Sequence, residues 1–196
     1  MRLKEFRPAL VMFISLTLIT GVVYPLLVTL IAQTFFPVQA NGSLITVDNQ
    51  IIGSSLIGQM TDNPRYFWSR PSAVSYMEGA SLDSLASSGA TNYGSTNEVL
   101  AENVVMREQA FRAANNVPDD VTVPVEMLFA SGSGLDPHIS PEAARLQIDR
   151  VAEARGLERE TVANLVEQYV EVPQLGFLGQ PRVNVLLLNL ALDGIQ

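Results

Sequence analysis

The residues that could carry out chemistry are few, and the most suggestive group lies between Ser131 and Ser140. His138, the only histidine in the chain, follows Asp136 by two residues, and Ser131 and Ser133 lie just before it. A histidine next to a carboxylate can act as a general base or as a metal ligand. A loop that leads into a helix N-terminus accounts for the same residues without chemistry. The motif G-x-S-x-G, which presents a nucleophilic serine, is absent.

Other catalytic and binding motifs are missing as well. The chain has no cysteine, so thiolate metal sites and disulfides are excluded. Lys4 is its only lysine, and no G-x-x-x-x-G-K-[ST] sequence occurs, so the chain cannot supply a P-loop lysine for phosphate. From its residues alone, we predict that this chain is not an enzyme. A membrane-anchored hydrolase that uses Ser133 and His138 stays open as the enzyme alternative.

The element that must position everything else is a long apolar stretch near the N-terminus. No charged residue or histidine occurs from Pro8 to Val47. Within it, Ala9–Phe35 would span roughly 40 Å as a helix, against a hydrocarbon core of roughly 30 Å. We therefore predict a single transmembrane helix over 9–35. A cleaved signal ending at Val38-Gln39-Ala40 is disfavoured by the length of the apolar region, and a buried soluble helix by the lack of a polar face.

Charge predicts the orientation of this helix. Arg2, Lys4 and Arg7 precede it, and the next positive residue is Arg65. Positive flanks remain in the cytoplasm, so residues 1–8 are predicted inside and residues 36–196 form a single extracytoplasmic domain. Beyond residue 8 the chain has 9 arginines and 19 acidic residues, a balance that disfavours contact with nucleic acid or anionic lipid.

One face of the predicted span has the composition of a helix-packing surface. Thr17, Gly21 and Pro25 recur at every fourth residue. Small residues at this spacing allow a second helix to approach closely, and proline frees a backbone carbonyl that a neighbour can satisfy. We therefore predict that Thr17, Gly21 and Pro25 bind a protein partner in the membrane.

The rest of the chain mixes helical and strand patterns, which predicts an α+β fold. Asp48-Asn49-Gln50 separates two β-branched runs and predicts a hairpin, and a loop covers Ser81–Gly94. Alternation over 121–130 predicts a strand. Four helices are predicted. The first begins with a capping box at Ser95–Glu98, and the second begins at Ser140-Pro141 and ends at Gly156. The third begins at Glu158 and stops at Pro173, and the fourth runs from Pro181 to Gly194, where a buried strand is the alternative.

Aromatic and arginine side chains concentrate at residues 63–73. Tyr66, Trp68 and Arg70 lie here beside Phe67. Such a cluster is typical of interface anchors, and equally of a core edge where arginine stacks on a ring. We favour packing, and we name Tyr66, Trp68 and Arg70 as candidates for partner contact outside the membrane.

The whole chain resembles the C subunits of Kdp-type potassium-transporting ATPases. Matching blocks run from RPAL at 7–10 and TGVVYPLL at 20–27, through QANGSLI, GSSLIGQ and YFWSRPSA, to VPVEMLFASGSGLDPHISPEAARLQIDRVAEARGL at 123–157 and LGQPRVNVLLLNLALD at 178–193. One block departs, because Ser88-Gly89-Ala90-Thr91-Asn92 stands where the family usually has SGGSN.

The resemblance implies an accessory subunit of an ATP-driven potassium importer in the bacterial inner membrane. Its implied partners are a channel-like subunit, a P-type ATPase subunit that hydrolyses ATP, and a small single-span subunit. The chain itself would bind no cofactor, while ATP and potassium act at the level of the complex.

The resemblance further implies a role in assembly and a chaperone effect that raises the nucleotide affinity of the ATPase subunit. Gln147 is the residue we link to that effect. The predicted orientation places the domain opposite the cytoplasmic nucleotide site, so the effect would be indirect. A membrane-anchored binding module that acts outside any pump is the alternative function.

Overall fold

The main element of the N-terminal unit is one long apolar helix, as the sequence predicts. In the computed structural model, which describes residues 3–74 and 88–194, helix α1 (Leu3–Leu18) passes through a π-helical turn (Ile19–Val23) into helix α2 (Tyr24–Phe35). Phe36 has a non-helical backbone before Pro37, where a short helix α3 (Pro37–Ala40) starts. The stretch Phe6–Phe35 is long and apolar enough to cross a membrane, and none of its residues is buried within the described structure.

The chain divides between Leu44 and Ile45 into two compact units. The second unit contains short strands and amphipathic helices, which confirms the α+β class. Its elements, with β1 beginning at the boundary, are β1 (Leu44–Val47), β2 (Gln50–Ser54), α4 (Glu98–Asn115), a 3-10 turn (Val125–Met127), β3 (His138–Ile139), α5 (Pro141–Arg145), α6 (Ile148–Arg155), α7 (Arg159–Gln168), β4 (Val170–Glu171), β5 (Arg182–Asn184) and α8 (Val185–Leu192).

Two small sheets organise the strands. β1 pairs with β2, which confirms the predicted hairpin. Asp48 and Asn49 both have positive φ, the geometry of the two-residue turn that matches strand twist. β3, β5 and β4 form an antiparallel sheet in that order, with Val183 opposite both Ile139 and Val170.

The core of the second unit lies among helices α4 to α8 and the central strand β5. Val151, Val162, Val166, Val183 and Leu188 are completely buried there. The aromatic segment contributes Phe67, which is also completely buried. At about 1.5–3 kcal/mol for each large apolar side chain, this burial is the main term that holds the unit together without disulfides.

The predicted strand over 121–130 is wrong. The segment instead contains the 3-10 turn Val125–Met127. Val123, before the turn, and Met127, within it, are buried, while Val125 is exposed. Pro124 cannot donate a ladder hydrogen bond, and no strand among the described residues pairs with the segment. The alternation of valines therefore reflects contact with the core at two points rather than a sheet face.

The predicted capping box at Ser95 is also wrong. Asn97 caps helix α4, and its Oδ1 accepts a hydrogen bond from the Leu100 N–H at 3.2 Å. Asparagine is as good an N-cap as serine, so the sequence offered two starts two residues apart. The predicted helix end is confirmed, since Asn116 adopts the left-handed backbone of a helix C-terminus.

Three other helices differ in extent from their predictions. The helix after Ser140 is capped by that residue as predicted but breaks at Leu146-Gln147 into α5 and α6 before ending at Gly156. Helix α7 ends at Gln168 rather than near Pro173, because Val170 and Glu171 pair with β5. The segment after Pro181, predicted as a helix with a strand as the alternative, contains both: strand β5 is followed directly by helix α8. The 81–87 part of the predicted loop and Arg2 lie outside the described residues.

Candidate functional site

The predicted packing face of the spanning helix contains its one irregular turn. Thr17 lies in α1, Gly21 in the π-helical turn and Pro25 at the second position of α2. Pro25 has no N–H, so the Gly21 carbonyl lacks its usual helical donor, and the π turn instead joins the Tyr24 N–H to the Ile19 carbonyl. A Cβ placed on Gly21 would meet no heavy atom within 4 Å among the described residues, apart from its chain neighbours and the nearby backbone of its own helix. The face is therefore an open notch.

The aromatic segment, residues 66–68, is held by two side-chain amides instead of a neighbouring strand. The Phe67 N–H donates to Asn189 Oδ1 at 2.8 Å, and Asn189 Nδ2 donates to the Phe67 carbonyl at 2.9 Å. The Trp68 N–H donates to Gln147 Oε1 at 2.7 Å, and Gln147 Nε2 returns a bond to the Trp68 carbonyl at 3.3 Å. Asn189 of helix α8 and Gln147, the residue just before helix α6, thus fix two successive residues of the segment.

Gln147, linked by prediction to nucleotide, is completely buried. Its Nε2 also donates to the Ala143 carbonyl at 3.2 Å, and its Oε1 also accepts from Arg150 Nη2 at 2.8 Å. Both polar atoms of the side chain are therefore used inside the domain. A ligand would have to displace these bonds to reach the amide.

Arg150 is a buried cation without a carboxylate partner among the described residues. Its guanidinium donates to Asn115 Oδ1 at 2.8 Å and to the carbonyls of Pro64 and Tyr66 at 2.6 and 2.9 Å. It also lies over the Trp68 ring, 4.3 Å from the centroid. Burial lowers the pKa of Arg150 to about 10, so the charge persists at neutral pH. The oxygens and the ring face together stabilise that charge.

The Tyr66 side chain contacts the C-terminal end of helix α8. Its hydroxyl donates to Asp193 Oδ2 at 2.9 Å, and Arg155 lies over its ring, 4.8 Å from the centroid. Arg155 Nη2 also contacts Asp193 Oδ1 at 2.7 Å. Tyr66 and Trp68 are each half-buried, and each is paired with an arginine of helix α6. Their side chains pack as the core-edge interpretation predicts.

Arg70, the third candidate of this region, belongs to a separate cluster with Asp136 and His138. Arg70 Nη1 donates to Asp136 Oδ2 at 2.8 Å, and the His138 N–H donates to Asp136 Oδ1 at 3.0 Å. The His138 imidazole, the His138 backbone N–H and Arg70 together lower the pKa of Asp136 to about 2. Asp136 is therefore an ionised structural anchor at neutral pH.

The serines near His138 take part in loop structure. Ser133 Oγ accepts from the Leu135 N–H at 3.1 Å, and the Ser133 carbonyl accepts from the Gly89 N–H at 2.9 Å. None of the hydrogen bonds of the described residues joins Ser133 Oγ to His138. Ser131 Oγ is buried without a hydrogen-bond partner in the described chain. These contacts assemble no nucleophile and base.

Two glycines allow the 131–138 loop to pack tightly. A Cβ on Gly58 would lie 2.5 Å from the Asp136 carbonyl oxygen, and the Gly58 N–H donates to the Leu135 carbonyl at 2.9 Å. Gly134 has φ +70°, and a Cβ there would lie 2.8 Å from the Gly89 carbonyl oxygen. Side chains at these positions would force the backbones apart.

Concavities of the second unit include volumes from about 100 Å³ to about 460 Å³, the latter between helices α7 and α8. One cavity of about 250 Å³ is lined in part by Trp68, Arg107, Phe111 and Met127. Arg107 Nη1 donates to the Leu128 carbonyl at 2.9 Å, and burial lowers the pKa of Arg107. Within residues 3–74 and 88–194, no group of three or more histidine or acidic side chains is placed to hold a metal ion.

The structure brings together only part of the predicted set. Tyr66, Trp68 and Gln147 share one network, Arg70 lies in another, and Thr17, Gly21 and Pro25 belong to the spanning helix. Sequence reasoning missed Arg150 and Asn189, which complete the network. A single asparagine inside the apolar run LLLNLAL was the available signal for Asn189, because a buried amide needs partners.

Comparison with known proteins gives a consistent result over the full length. A family profile described as KdpC, K+-transporting ATPase, c chain, matches residues 6–194. The chain is 53% identical over 193 residues to a protein of Sorangium cellulosum, covering 98% of both chains. It is 52% identical over 200 residues to one of Methylococcus capsulatus, covering 99% of this chain and 100% of the relative. Both relatives are named potassium-transporting ATPase KdpC subunit.

Proposed function

Because the chain belongs to the KdpC family of K+-transporting ATPase c chains, we propose that it is the membrane-anchored, non-catalytic accessory subunit of an ATP-driven potassium importer. In this role it supports assembly of a complex with a channel-like subunit, a P-type ATPase subunit and a small single-span subunit. ATP hydrolysis belongs to the ATPase subunit, and this chain acts by contact.

The observation that carries the proposal is the spanning helix. Every described side chain from Phe6 to Phe35 is left unburied by the chain itself, although the stretch is strongly apolar. Such a surface is stable only against lipid or other membrane helices. The open notch at Gly21 is the part of this surface suited to close contact with a partner helix.

The second unit supports a contact role because four of its arginines are already engaged by groups of its own fold. Arg70, Arg155 and Arg182 pair with Asp136, Asp193 and Glu171, and Arg150 is enclosed by oxygens. These arginine side chains hold loops and helices of the unit together and are therefore not available to bind a substrate. We propose that this unit lies outside the bacterial inner membrane, with residues 1–8 in the cytoplasm, on the charge asymmetry of the flanks.

We also propose that the chain raises the nucleotide affinity of the ATPase subunit indirectly. If the second unit is extracytoplasmic, contact with a cytoplasmic nucleotide is excluded. Coupling would then pass through the membrane helices, so that binding of this chain shifts the nucleotide-binding equilibrium of the ATPase subunit. The complete burial of Gln147 supports an indirect rather than a direct part for this residue.

Two measurements test the proposal. Co-expression with the other subunits followed by purification in mild detergent is expected to yield one complex with potassium-stimulated ATPase activity that is lost without this chain. Protease added outside spheroplasts is expected to cut the second unit. A monomeric chain that leaves ATPase activity unchanged would favour the alternative, an anchored binding module outside a pump. Cleavage only from the cytoplasmic side would contradict the orientation.

A further inference from the structure

The connection between β4 and β5 presents the most exposed large apolar side chains of the described structure. Leu175 is 82% exposed, Val172 76% and Phe177 74%, against 70% for Phe35, the highest value in the spanning helix. Leu178 adds a fourth apolar side chain, half exposed. We call residues 172–178 the apolar tip. Soluble surfaces rarely leave such a group uncovered unless it binds something.

The tip is a built turn rather than a loose loop. The Gln174 N–H donates to the Leu178 carbonyl at 3.1 Å, and the Leu178 N–H returns a bond to the Gln174 carbonyl at 2.9 Å. The Gly176 N–H donates to the Pro173 carbonyl at 2.9 Å. Leu175 has φ +54°, a conformation that is strained for a bulky residue. The backbone thus holds Leu175 and Phe177 outward at a conformational cost.

Charge identifies the kind of surface that covers the tip. No residue from Val172 to Pro181 is ionisable, and the flanking Arg182 and Glu171 pair with each other at 2.8 Å. Segments that bind a membrane surface gain affinity when basic residues meet anionic headgroups, and this tip lacks that contribution because its one neighbouring basic residue, Arg182, is paired. A second copy would bring together two chains of net charge −8, which repel each other.

We propose that the apolar tip docks into an uncharged, apolar recess on the protein surface of another subunit of the ATPase complex. This proposal rests on the proposed function and adds the surface through which the second unit contacts its partner. Burial of two large side chains contributes enough that removing both weakens association at least about tenfold. The turn is preorganised, so little ordering entropy opposes docking.

A site-specific probe tests the proposal, because the chain contains no cysteine. Phe177→Cys in the full chain is labelled with a polarity-sensitive fluorophore, and Met106→Cys, 59% exposed in helix α4, is the matched control. The emission of the label at residue 177 is expected to shift to the blue, and its quenching by iodide is expected to disappear, only when the partner subunits are co-reconstituted. A blue shift in vesicles of the chain alone would indicate lipid, and one that grows with chain concentration would indicate a second copy; either would overturn the proposal.

A second experiment compares the double variant Leu175→Ser, Phe177→Ser with Met106→Ser. The double variant is expected to retain at most about a tenth of the co-purified ATPase subunits, with an unchanged unfolding temperature, while Met106→Ser retains them all. Equal retention by the double variant and the wild type overturns this proposal alone. Failure of the wild-type chain to co-purify overturns the proposed function together with it.

Discussion

The side-chain amide of Gln147 hydrogen-bonds both backbone polar groups of Trp68, at 2.7 Å to the N–H and 3.3 Å to the carbonyl. Asn189 makes the same pair of bonds with Phe67. Two side chains therefore replace the neighbouring strand that an extended segment normally requires. The arrangement ties the aromatic segment to helix α8 and to the start of helix α6, and it makes the stability of the unit depend on two amides.

Replacement of either amide by leucine is expected to destabilise the second unit. Gln147→Leu and Asn189→Leu each leave a buried N–H and carbonyl without partners, a loss of about 2–3 kcal/mol in the free energy of unfolding. Urea unfolding of the full chain in detergent can be followed through Trp68, its only tryptophan. Gln168→Leu, at an exposed position of α7, is the control and should change stability by less than about 0.5 kcal/mol.

The same pair of variants separates a structural from a nucleotide-binding part for Gln147. In the assembled complex, Gln147→Leu and Asn189→Leu are expected to change the KM for ATP by the same factor, because both act by loosening the aromatic segment. Asn189 serves as the matched reference, since it makes equivalent bonds from another helix. An increase in KM for Gln147→Leu alone, at equal stability, would establish a specific role for Gln147.

Elements whose structure depends mainly on local residues were predicted correctly from the sequence. The charge-free run ending at Phe35 predicted the span, Ser140-Pro141 predicted a helix start, and Asp48-Asn49 predicted a turn. The alternating valines at 121–130 misled because Pro124 and the lack of a strand partner outweighed the pattern. Strand β4 could not be foreseen, since its two residues are extended only because β5 pairs with them.

The network around the aromatic segment was predicted in part for a physical reason. Aromatic residues beside arginines marked Tyr66 and Trp68, because ring faces attract guanidinium groups. Arg155 and Arg150, which stack on these rings, belong to helix α6. They also donate to backbone carbonyls of residues 64–66, which lie 84 to 90 residues earlier in the sequence. Only the tertiary fold brings these partners together, so spacing along the chain carried no signal for them.

Gly58 should not tolerate even an alanine. A Cβ there would lie 2.5 Å from the Asp136 carbonyl oxygen and 3.2 Å from Pro137 Cα, both backbone atoms of the packed 131–138 loop. Gly58→Ala is expected to cost about 1–3 kcal/mol in the free energy of unfolding. Gly132→Ala, where a Cβ meets nothing within 4 Å, is the control and should be neutral or slightly stabilising. Equal effects of the two changes would contradict the packing.

Asp136 should contribute stability that depends on pH in a defined window. Its pKa is lowered from 3.8 to about 2 in the folded chain, so its stabilisation is complete well above pH 4 and is lost as the pH falls through 2. Asp136→Asn is expected to lower the free energy of unfolding by about 2 kcal/mol at pH 7 and by progressively less between pH 4 and pH 2. Unfolding curves at several pH values measure this difference; one that stays constant down to pH 2 would exclude the ionised carboxylate as its source.

Gly21 should matter for association in the membrane and not for the fold of the chain. A Cβ there meets no heavy atom within 4 Å among the described residues apart from its neighbours and the nearby helix backbone, so Gly21→Leu is expected to leave the unfolding of the second unit unchanged. The same side chain fills the notch that a partner helix would enter, and retention of the ATPase subunits in mild detergent is expected to fall about tenfold. Val22→Leu, one residue along the same helix, enlarges an adjacent face and should retain them. Full retention by Gly21→Leu would mean that partners approach the helix from another side.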